Sequence, residues 1–535
     1  MQVFKKLLWV VLTIVFVLKI TSIFLDENYK ATIKSDGRGY YAYLPAFIIY
    51  VDLSYKSSHL AEIKYTPLAS DYWYLNKTVD NQFYNKYFPG IAILQIPFFL
   101  IAIFLSYLFG FPIDGYSPIF LISFLVGSLV YGFLGILLFK QFIAKWFGKS
   151  YDWFPLLIVL GTSLLFYLIN LPSFSHVYSF FLFGIFVNLI LKIQATNNTK
   201  DYLYFGLTVG LIFLVRPTNL LILLIIPFIL KDFSELKMTI KNSFQIRKVT
   251  AMMIGFFSFI FLLMFIWKAQ TGSFILWSYS GETFDFLKPK ILQHLFSFRI
   301  GLFTHVPLFI LAVIGLIRQK NRYVTLTWLL YTLPLIYIYS SWWCWDYASM
   351  FGPRVYSEHL LFLCLPIIFL LKEPKKLTYI SISLCLIISL IRFYEYEAEI
   401  IRDQRFTSEN YFSSLAFWKK ENKGRWYNSR YCHPSGKLIK TYTLSNENET
   451  RKINSTDEFF NTVEHTFKSQ RTNERYFVRV ELDKFTKEEN FNDVFLVIDV
   501  FNKNGDKRFY NAIPLYNDKL KINTWEHLII EVDVV

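Results

Sequence analysis

Asp36 and Arg38 stand two positions apart in the stretch KSDGRGYYAYLP, which follows a hydrophobic N-terminal segment. The carboxylate of Asp36 can accept a proton from a hydroxyl group when it is held away from bulk water. It can instead cap the amphipathic helix that the tyrosine-rich residues 40–53 predict, because aspartate accepts backbone N–H bonds well. Both interpretations stay open here, and Gly37 and Gly39 are expected to let the backbone bend sharply beside the acid.

Basic side chains suited to phosphate recur at the ends of other hydrophobic segments. Lys86 lies in NQFYNKYFPG, Arg216 in LVRPTN, and Arg354 in YSSWWCWDYASMFGPRVYSEH. A guanidinium offers a fixed fork of donors to a phosphate, and a lysine near a helix N-terminus can pair with one. For each residue the alternative is structural: a lysine that anchors at a membrane surface, or an arginine that stabilises a helix end.

Aromatic side chains and one histidine accompany these cations. The aromatic residues either form the aromatic belt of a membrane interface or stack on a sugar or an isoprenoid chain, and the alternative for the histidine is a structural role at a helix end. The candidates for sugar or lipid contact are Trp342, Trp343, Trp345, Tyr347, Tyr40 and His176.

The composition indicates the kind of protein that must position these residues. Of the 535 residues, 54% are hydrophobic and 20% aromatic. Apolar runs of about 18 residues or more, enough to span a bilayer, recur through roughly the first 390 residues and predict a polytopic membrane protein. Since Lys and Arg collect in cytoplasmic loops of such proteins, the net charge of +15 does not indicate a nucleic-acid partner. The four cysteines show no metal-binding spacing.

The charge of the loops predicts the topology. Short basic loops are expected in the cytoplasm; they cover 140–150, 231–248, 318–322 and 372–376. The loops at 26–88, 268–301 and 341–357 are then external. The alternation requires about eleven crossings, with segment 91–109 re-entrant or interfacial because prolines break it, and with a turn at Arg216 so that 202–230 crosses twice.

The composition changes after residue 392. Residues 393–470 are polar and predict an irregular linker, whereas 471–535 contain four stretches of strand length and the turn sequence NKNGD. We expect a small antiparallel β-sandwich outside the membrane, which either binds sugars or serves as a structural cap. The predicted fold is therefore a membrane all-α polytopic bundle over 1–392, followed by a C-terminal extracytoplasmic β-sandwich.

The motifs SDGRGYYAYLP, NKYFPG and LVRPTN, together with this topology, resemble the GT-C class of polytopic glycosyltransferases. Within that class the chain is most similar to the protein O-mannosyltransferase and lipid A aminoarabinose transferase families. The resemblance implies an acceptor-side acid, matched by Asp36, a following arginine, matched by Arg38, and a lysine that contacts the donor phosphate, matched approximately by Lys86. Many members carry an Asp-Glu pair; here Gly37 follows the acid, so no metal site is expected.

The resemblance implies an inverting transfer of a sugar from a polyprenyl-phosphate donor to an acceptor hydroxyl on the external face, without a cofactor or a metal. The acceptor is a protein, a lipid or a polysaccharide. Asp36 would act on that hydroxyl, and the phosphate would be held by Lys86 and Arg354, then by Arg38 and Arg216. The composition suggests a bacterial inner membrane.

The alternative is a lipid-linked glycan transporter or a non-catalytic glycan-binding envelope protein. A transporter predicts charged or broken helices near the bilayer midplane and repeat symmetry between its halves. The polar residues of this sequence cluster instead at the predicted external helix ends, which favours an enzyme.

Overall fold

The computed structural model describes residues 32–65, 74–78, 82–347, 351–372 and 375–397, with isolated positions before and after, and the backbone of four strands between 477 and 533. The chain divides into two compact units. The first comprises 1–397 and 402–415, and the second comprises 398–401 and 416–535. The predicted first helix (5–25) and the predicted linker (393–470) lie almost entirely outside the described residues.

The first unit is mostly helical. Its described α-helices, labelled in chain order, are α1 Asp36–Leu44, α2 Lys56–Tyr65, α3 Gly90–Phe109, α4 Pro118–Trp146, α5 Phe154–Leu160, α6 Leu164–Ile169, α7 Ser175–Thr196, α8 Thr199–Val215, α9 Ile226–Ile229, α10 Phe233–Ser243, α11 Ile246–Thr271, α12 Ile291–Phe296, α13 Leu302–His305, α14 Pro307–Arg318, α15 Arg322–Ser340, α16 Leu360–Cys364, α17 Ile367–Leu371 and α18 Lys376–Glu397. A π-helical turn, Pro45–Tyr50, continues α1, and 3₁₀ segments cover Lys149–Tyr151, Pro217–Ile225 and Arg354–His359.

Among the described residues, six helices are long and apolar enough to cross a membrane: α3, α4, α7, α11, α15 and α18. A hydrocarbon core about 30 Å thick needs about 20 apolar residues in a helix, and each of these is close to or beyond that length. The protein is therefore an integral, multi-pass membrane protein. The predicted number of eleven crossings stays a prediction, because several other apolar segments are divided into short helices.

Segment 91–109 differs from its prediction. Pro97 lies inside α3, which runs without interruption from Gly90 to Phe109. A proline removes one backbone hydrogen bond, but the helix tolerates that loss here, so the predicted break is wrong. Whether α3 crosses the bilayer or enters it from one side stays a prediction.

The helix breaks at Arg216, where the turn was predicted, and the two crossings by 202–230 stay a prediction. Helix α8 ends at Val215, Arg216 has an extended backbone, and Pro217 opens the next 3₁₀ segment. The residue before a proline is driven away from helical angles, which explains the position of this break.

Close helix packing relies on glycines. A Cβ on Gly206 of α8 would lie 2.0 Å from the carbonyl oxygen of Met252, and one on Gly255 of α11 would lie 2.6 Å from the carbonyl oxygen of Leu203. Small residues at such contacts let two membrane helices approach backbone to backbone. The glycines therefore let α8 and α11 pack closely along their length.

The second unit contains antiparallel strand pairs. β3 (Phe477–Phe485) pairs with β6 (Trp525–Asp533), and β4 (Phe495–Phe501) pairs with β5 (Lys507–Pro514). Their register runs from Phe477 opposite Asp533 in the first pair and from Phe495 opposite Pro514 in the second. The four predicted strands are confirmed, whereas the β-sandwich and its NKNGD turn stay predictions. β1 (Leu75–Lys77) and β2 (Phe83–Asn85) form a small hairpin in the first unit.

Candidate active site

Asp36 is the first residue of α1, but its carboxylate does not cap the helix. It pairs instead with the guanidinium of Arg354, a residue 318 positions away, and accepts a hydrogen bond of 3.0 Å from the hydroxyl of Tyr87. The side chain of Asp36 is 19% exposed. The carboxylate is thus half-buried and held by side chains from two distant parts of the chain.

The two glycines beside Asp36 do not bend the backbone as expected; both lie within α1. They permit close approach instead. A Cβ on Gly37 would lie 2.0 Å from the hydroxyl oxygen of Ser173, and a Cβ on Gly39 would lie 2.2 Å from the ring of Tyr87. Neither distance is possible between non-bonded atoms, so glycine is required for α1 to pack at this depth.

The tyrosines of α1 also differ from their prediction. Tyr40, Tyr41 and Tyr43 are buried in the first unit, with at most 5% exposure, and so do not mark a bilayer boundary. Tyr40 packs edge-on against Tyr87, with 4.8 Å between ring centroids. Burial, and then the charge of Asp36, raise the pKa of Tyr40 to about 12, so its hydroxyl stays protonated as a hydrogen-bond donor.

Arg354 opens the 3₁₀ segment that follows Gly352 and Pro353. Gly352 has φ +59°, a conformation that glycine adopts readily, and this turn directs the chain into the site. The guanidinium lies 5.0 Å from the ring centre of Phe174 and is 13% exposed. Its Nε is buried without a hydrogen-bond partner in the described structure. One donor of the guanidinium fork therefore remains available to an anion.

Lys86 follows the β1–β2 hairpin and precedes α3 by a few residues. Its ammonium group lies 3.1 Å from a carboxylate oxygen of Glu282 in the loop between α11 and α12. That loop is tied to the same region by a hydrogen bond of 2.9 Å from the hydroxyl of Ser278 to the carbonyl oxygen of Lys86. The ring of Tyr279 also packs edge-on against Tyr87, 6.1 Å between centroids. Lys86 is thus linked to Asp36 through Tyr87, its neighbour in the sequence.

Arg216 and His176 share a buried acid that the sequence interpretation did not include. Glu358 is completely buried; one of its oxygens lies 2.6 Å from Nδ1 of His176, and the other lies 3.8 Å from the guanidinium of Arg216. The guanidinium of Arg216 is 18% exposed and lies over the ring of Tyr339. Glu358 thus fixes two of the predicted site residues from within the helix bundle.

Arg38 has a different environment from Asp36. Its guanidinium makes two hydrogen bonds to Glu62 of α2, at 2.8 and 3.3 Å, and both side chains are buried. The ring of Tyr74 lies 5.2 Å from the same guanidinium. This paired cation connects α1 to α2, which supports a structural role rather than contact with a ligand.

The aromatic residues of 342–347 do not form a single stack. Trp342 packs against Phe284 at 4.7 Å and against Tyr279 at 6.2 Å, so it borders the Lys86 side of the site. Trp343 is 57% exposed. Tyr347 donates a hydrogen bond of 3.0 Å to the carbonyl oxygen of Tyr339.

Trp345 belongs to a separate polar contact. Its carbonyl oxygen lies 2.8 Å from Nε2 of His294, whose Nδ1 is 2.8 Å from the hydroxyl of Tyr356. Burial lowers the pKa of His294 to about 4, so the ring is neutral at neutral pH. The indole of Trp345 is accompanied by the guanidinium of Arg299, 5.9 Å from the ring centre.

Within the described residues, no group of three or more His, Cys, Asp or Glu side chains is arranged to hold a metal ion. The predicted absence of a metal and of a cofactor nevertheless stays a prediction.

No protein-family model matches the sequence, and no curated protein matches it. Two crystal structures of ArnT from Cupriavidus metallidurans are similar to this structure, one in the apo state and one bound to undecaprenyl phosphate. Each is 12% identical in sequence; the apo match covers 76% of this chain and 68% of the other with a TM-score of 0.43. The second covers 76% and 69% with a TM-score of 0.44. The similarity agrees with the predicted resemblance, and no property of this chain is inferred from it.

Proposed function

We propose that this protein is a membrane glycosyltransferase that moves a sugar from a polyprenyl-phosphate donor to an acceptor hydroxyl, with inversion at the anomeric carbon. The observation that carries the proposal is the meeting of a half-buried carboxylate, Asp36, with the guanidinium of Arg354 beside Tyr87. Arg216 and Lys86 extend this cationic rim from two further segments of the chain.

The acceptor side of the reaction falls to Asp36. Its carboxylate takes the proton of the acceptor hydroxyl while the hydroxyl oxygen attacks C1 of the donor sugar. Tyr87 donates to one carboxylate oxygen at 3.0 Å. Burial and the neighbouring Asp36 raise the pKa of Tyr87 well above its usual value, so this hydroxyl orients the acid without releasing its own proton.

The donor side falls to the cations. As the bond from C1 to the phosphate oxygen breaks, the polyprenyl phosphate leaves with its electron pair and gains negative charge. Fixed donors aimed at that charge lower the barrier most effectively in a site of low dielectric constant. Arg354 has a free Nε for this purpose, and Lys86 and Arg216 lie at half-buried positions where a phosphate gains more than it would in water.

The same proposal gives the membrane face of the site and a role for each part of the chain. The site would face the outside of a bacterial inner membrane, where the isoprenoid chain of the donor enters sideways from the lipid. Catalysis would belong to residues 1–392, while 393–470 would be a linker and 471–535 an accessory β-sandwich. The acceptor would be a protein, a lipid or a polysaccharide.

Asp36→Asn tests the proposal. The purified chain is incubated with undecaprenyl-phosphate-linked sugars and an extract of envelope acceptors, and release of undecaprenyl phosphate is followed by mass spectrometry. The variant should lose about 10²- to 10⁴-fold in turnover, as expected for removal of a general base. It should still bind undecaprenyl phosphate.

Asp52→Asn is the matched control. This aspartate lies in the same loop, where its carboxylate accepts bonds from the backbone of Ser54 and Ser57. Asparagine keeps one of these two acceptor oxygens and the size of the side chain, so the control should keep its turnover. If Asp36→Asn releases undecaprenyl phosphate as fast as Asp52→Asn, Asp36 is not the general base. If wild type releases none, the chain is a transporter or a glycan-binding protein rather than a transferase.

A further inference from the structure

A groove of about 440 Å³ lies between α4 and α7, far from Asp36. α7 begins at Ser175, beside the site residue His176, and the groove is lined by residues of its last three turns, near Thr196. A helix of 22 residues is about 33 Å long at 1.5 Å per residue, close to the thickness of the hydrocarbon core. The groove therefore opens at the opposite end of the bundle from the candidate active site.

The walls of the groove repeat one pattern on both helices. On α4, Gln141 precedes Lys145 by one turn, and on α7, Asn188 precedes Lys192 by one turn. Each helix thus places an amide deeper in the groove and a lysine nearer to its end. Amide side chains on the lipid-facing part of a membrane helix are unfavourable unless a polar partner is present.

The polar groups leave capacity for a ligand. The amide nitrogen of Asn188 is used within the bundle, where it donates to the carbonyl oxygens of Leu138 and Gly184, both at 2.8 Å. Gln141 is exposed, and its amide nitrogen can donate to a ligand. Lys192 is engaged, 2.6 Å from the buried Asp201. Lys145 is exposed and forms no ion pair with the described residues, so it contributes an uncompensated positive charge at the rim.

The rest of the lining is apolar and comes from the same two helices: Leu138, Ile185, Leu189, Leu191 and Ala195. The groove is aliphatic along most of its length and has lysines near the helix ends. A molecule with an acyl chain and an anionic phosphate at one end would fit this arrangement. Basic pockets between membrane helices bind the headgroups of anionic lipids in this way.

We propose that this groove binds one anionic phospholipid of the adjacent leaflet, with its phosphate on Lys145, an ester carbonyl accepting from the amide nitrogen of Gln141, and an acyl chain along the aliphatic wall. Of the other lysines at this end, Lys140 is paired with Asp152 and Lys231 lies over the ring of Trp146, so Lys145 supplies the charge of the groove. The site does not depend on the proposed transferase activity, since a chain without turnover would bind the same lipid.

Native mass spectrometry of the delipidated full chain tests the site. The protein is titrated with an equimolar mixture of phosphatidylglycerol and phosphatidylcholine that carry the same acyl chains. Wild type should retain phosphatidylglycerol preferentially. Lys145→Gln should bind it about fivefold more weakly, the effect of roughly 1 kcal/mol per lysine at an anionic membrane surface. Leu189→Trp should block the groove and remove the preference as well.

Lys149→Gln is the matched control, because Lys149 is an exposed lysine near the same membrane surface that does not line the groove. It should bind phosphatidylglycerol like wild type. Equal retention of the two lipids by wild type, or equal affinities of Lys145→Gln and Lys149→Gln, would overturn the proposal. Loss of the bound lipid on addition of inorganic phosphate would instead identify a site for free anions and would also overturn it.

Discussion

The carboxylate of Asp36 and the guanidinium of Arg354 form an ion pair although 318 residues separate them in the chain. Asp36 enters from the start of α1 and Arg354 from the turn after Gly352 and Pro353. The pair joins the first loop to the loop that follows α15, and both partners are mostly withdrawn from water. A paired acid and base in such surroundings interact more strongly than a surface pair does.

Arg354→Lys should weaken the binding of undecaprenyl phosphate by roughly tenfold to hundredfold, the loss expected for one charge-assisted hydrogen bond. Lysine keeps the charge, but it cannot hold Asp36 and a phosphate oxygen with one rigid fork. Microscale thermophoresis with the purified chain measures the change. Arg318→Lys, at the far end of α14, is the control and should bind like wild type. Equal binding by both variants would exclude Arg354 from the phosphate site.

Glu358→Ala should lower the free energy of unfolding by about 3–5 kcal/mol, because it leaves Arg216 and His176 without their buried partner. Glu282→Ala removes a partly exposed partner of Lys86 and should cost no more than about 1 kcal/mol. Thermal unfolding of both variants in the same detergent makes the comparison. A smaller loss for Glu358→Ala than for Glu282→Ala would contradict the role given to the buried acid.

Gly37→Ala should destabilise the chain by about 1–3 kcal/mol, the usual cost of overpacking, because the new methyl group would lie 2.0 Å from the hydroxyl oxygen of Ser173. Ser173→Gly removes the obstructing side chain. The double variant should therefore recover most of the stability that Gly37→Ala loses, and a thermal-unfolding cycle of the four proteins measures the coupling. Additive losses would show that the contact is unimportant.

The pH dependence of stability should include a contribution from His294. Burial lowers its pKa to about 4 in the folded chain, whereas an unfolded histidine titrates near 6.5. Between these values the unfolded chain binds the additional proton, so the free energy of unfolding falls as the pH drops from about 6.5 and stops falling below about 4. The loss can reach about 3 kcal/mol.

His294→Gln removes that titration. Unfolding midpoints of the variant and of wild type, measured from pH 7.5 to 4, should converge as the pH falls, because only wild type loses the His294 contribution. Parallel curves for the two proteins would show that the ring titrates normally.

The sequence predicted the elements better than the contacts between them. Length and apolarity were enough to indicate membrane helices, and the cost of placing Arg216 inside the bilayer was enough to predict a break in the chain there. The rule that prolines break helices failed at Pro97, because a helix surrounded by apolar material can continue past one missing hydrogen bond. A residue type such as proline sets a conformational preference, and the packing around it determines whether the helix breaks.

The site shows the same limit. Asp36, Arg216 and Arg354 were identified from residue type and position. In the structure Arg354 pairs with Asp36, and Arg216 lies close to Glu358, four residues after Arg354. Glu358 and Tyr87 were missed because their importance depends on partners that are remote in sequence. A signal for Glu358 existed: an acid directly before a long apolar run is costly unless a partner is provided. For Tyr87 there was none beyond its place next to Lys86.

The contact between α1 and the start of α7 has a consequence for the history of this protein. Gly37 packs directly against the Ser173 side chain, and a methyl group at position 37 would overlap with that side chain. Lineages that enlarge one of these positions are expected to shrink the other, so aligned homologues should show positions 37 and 173 covarying in size.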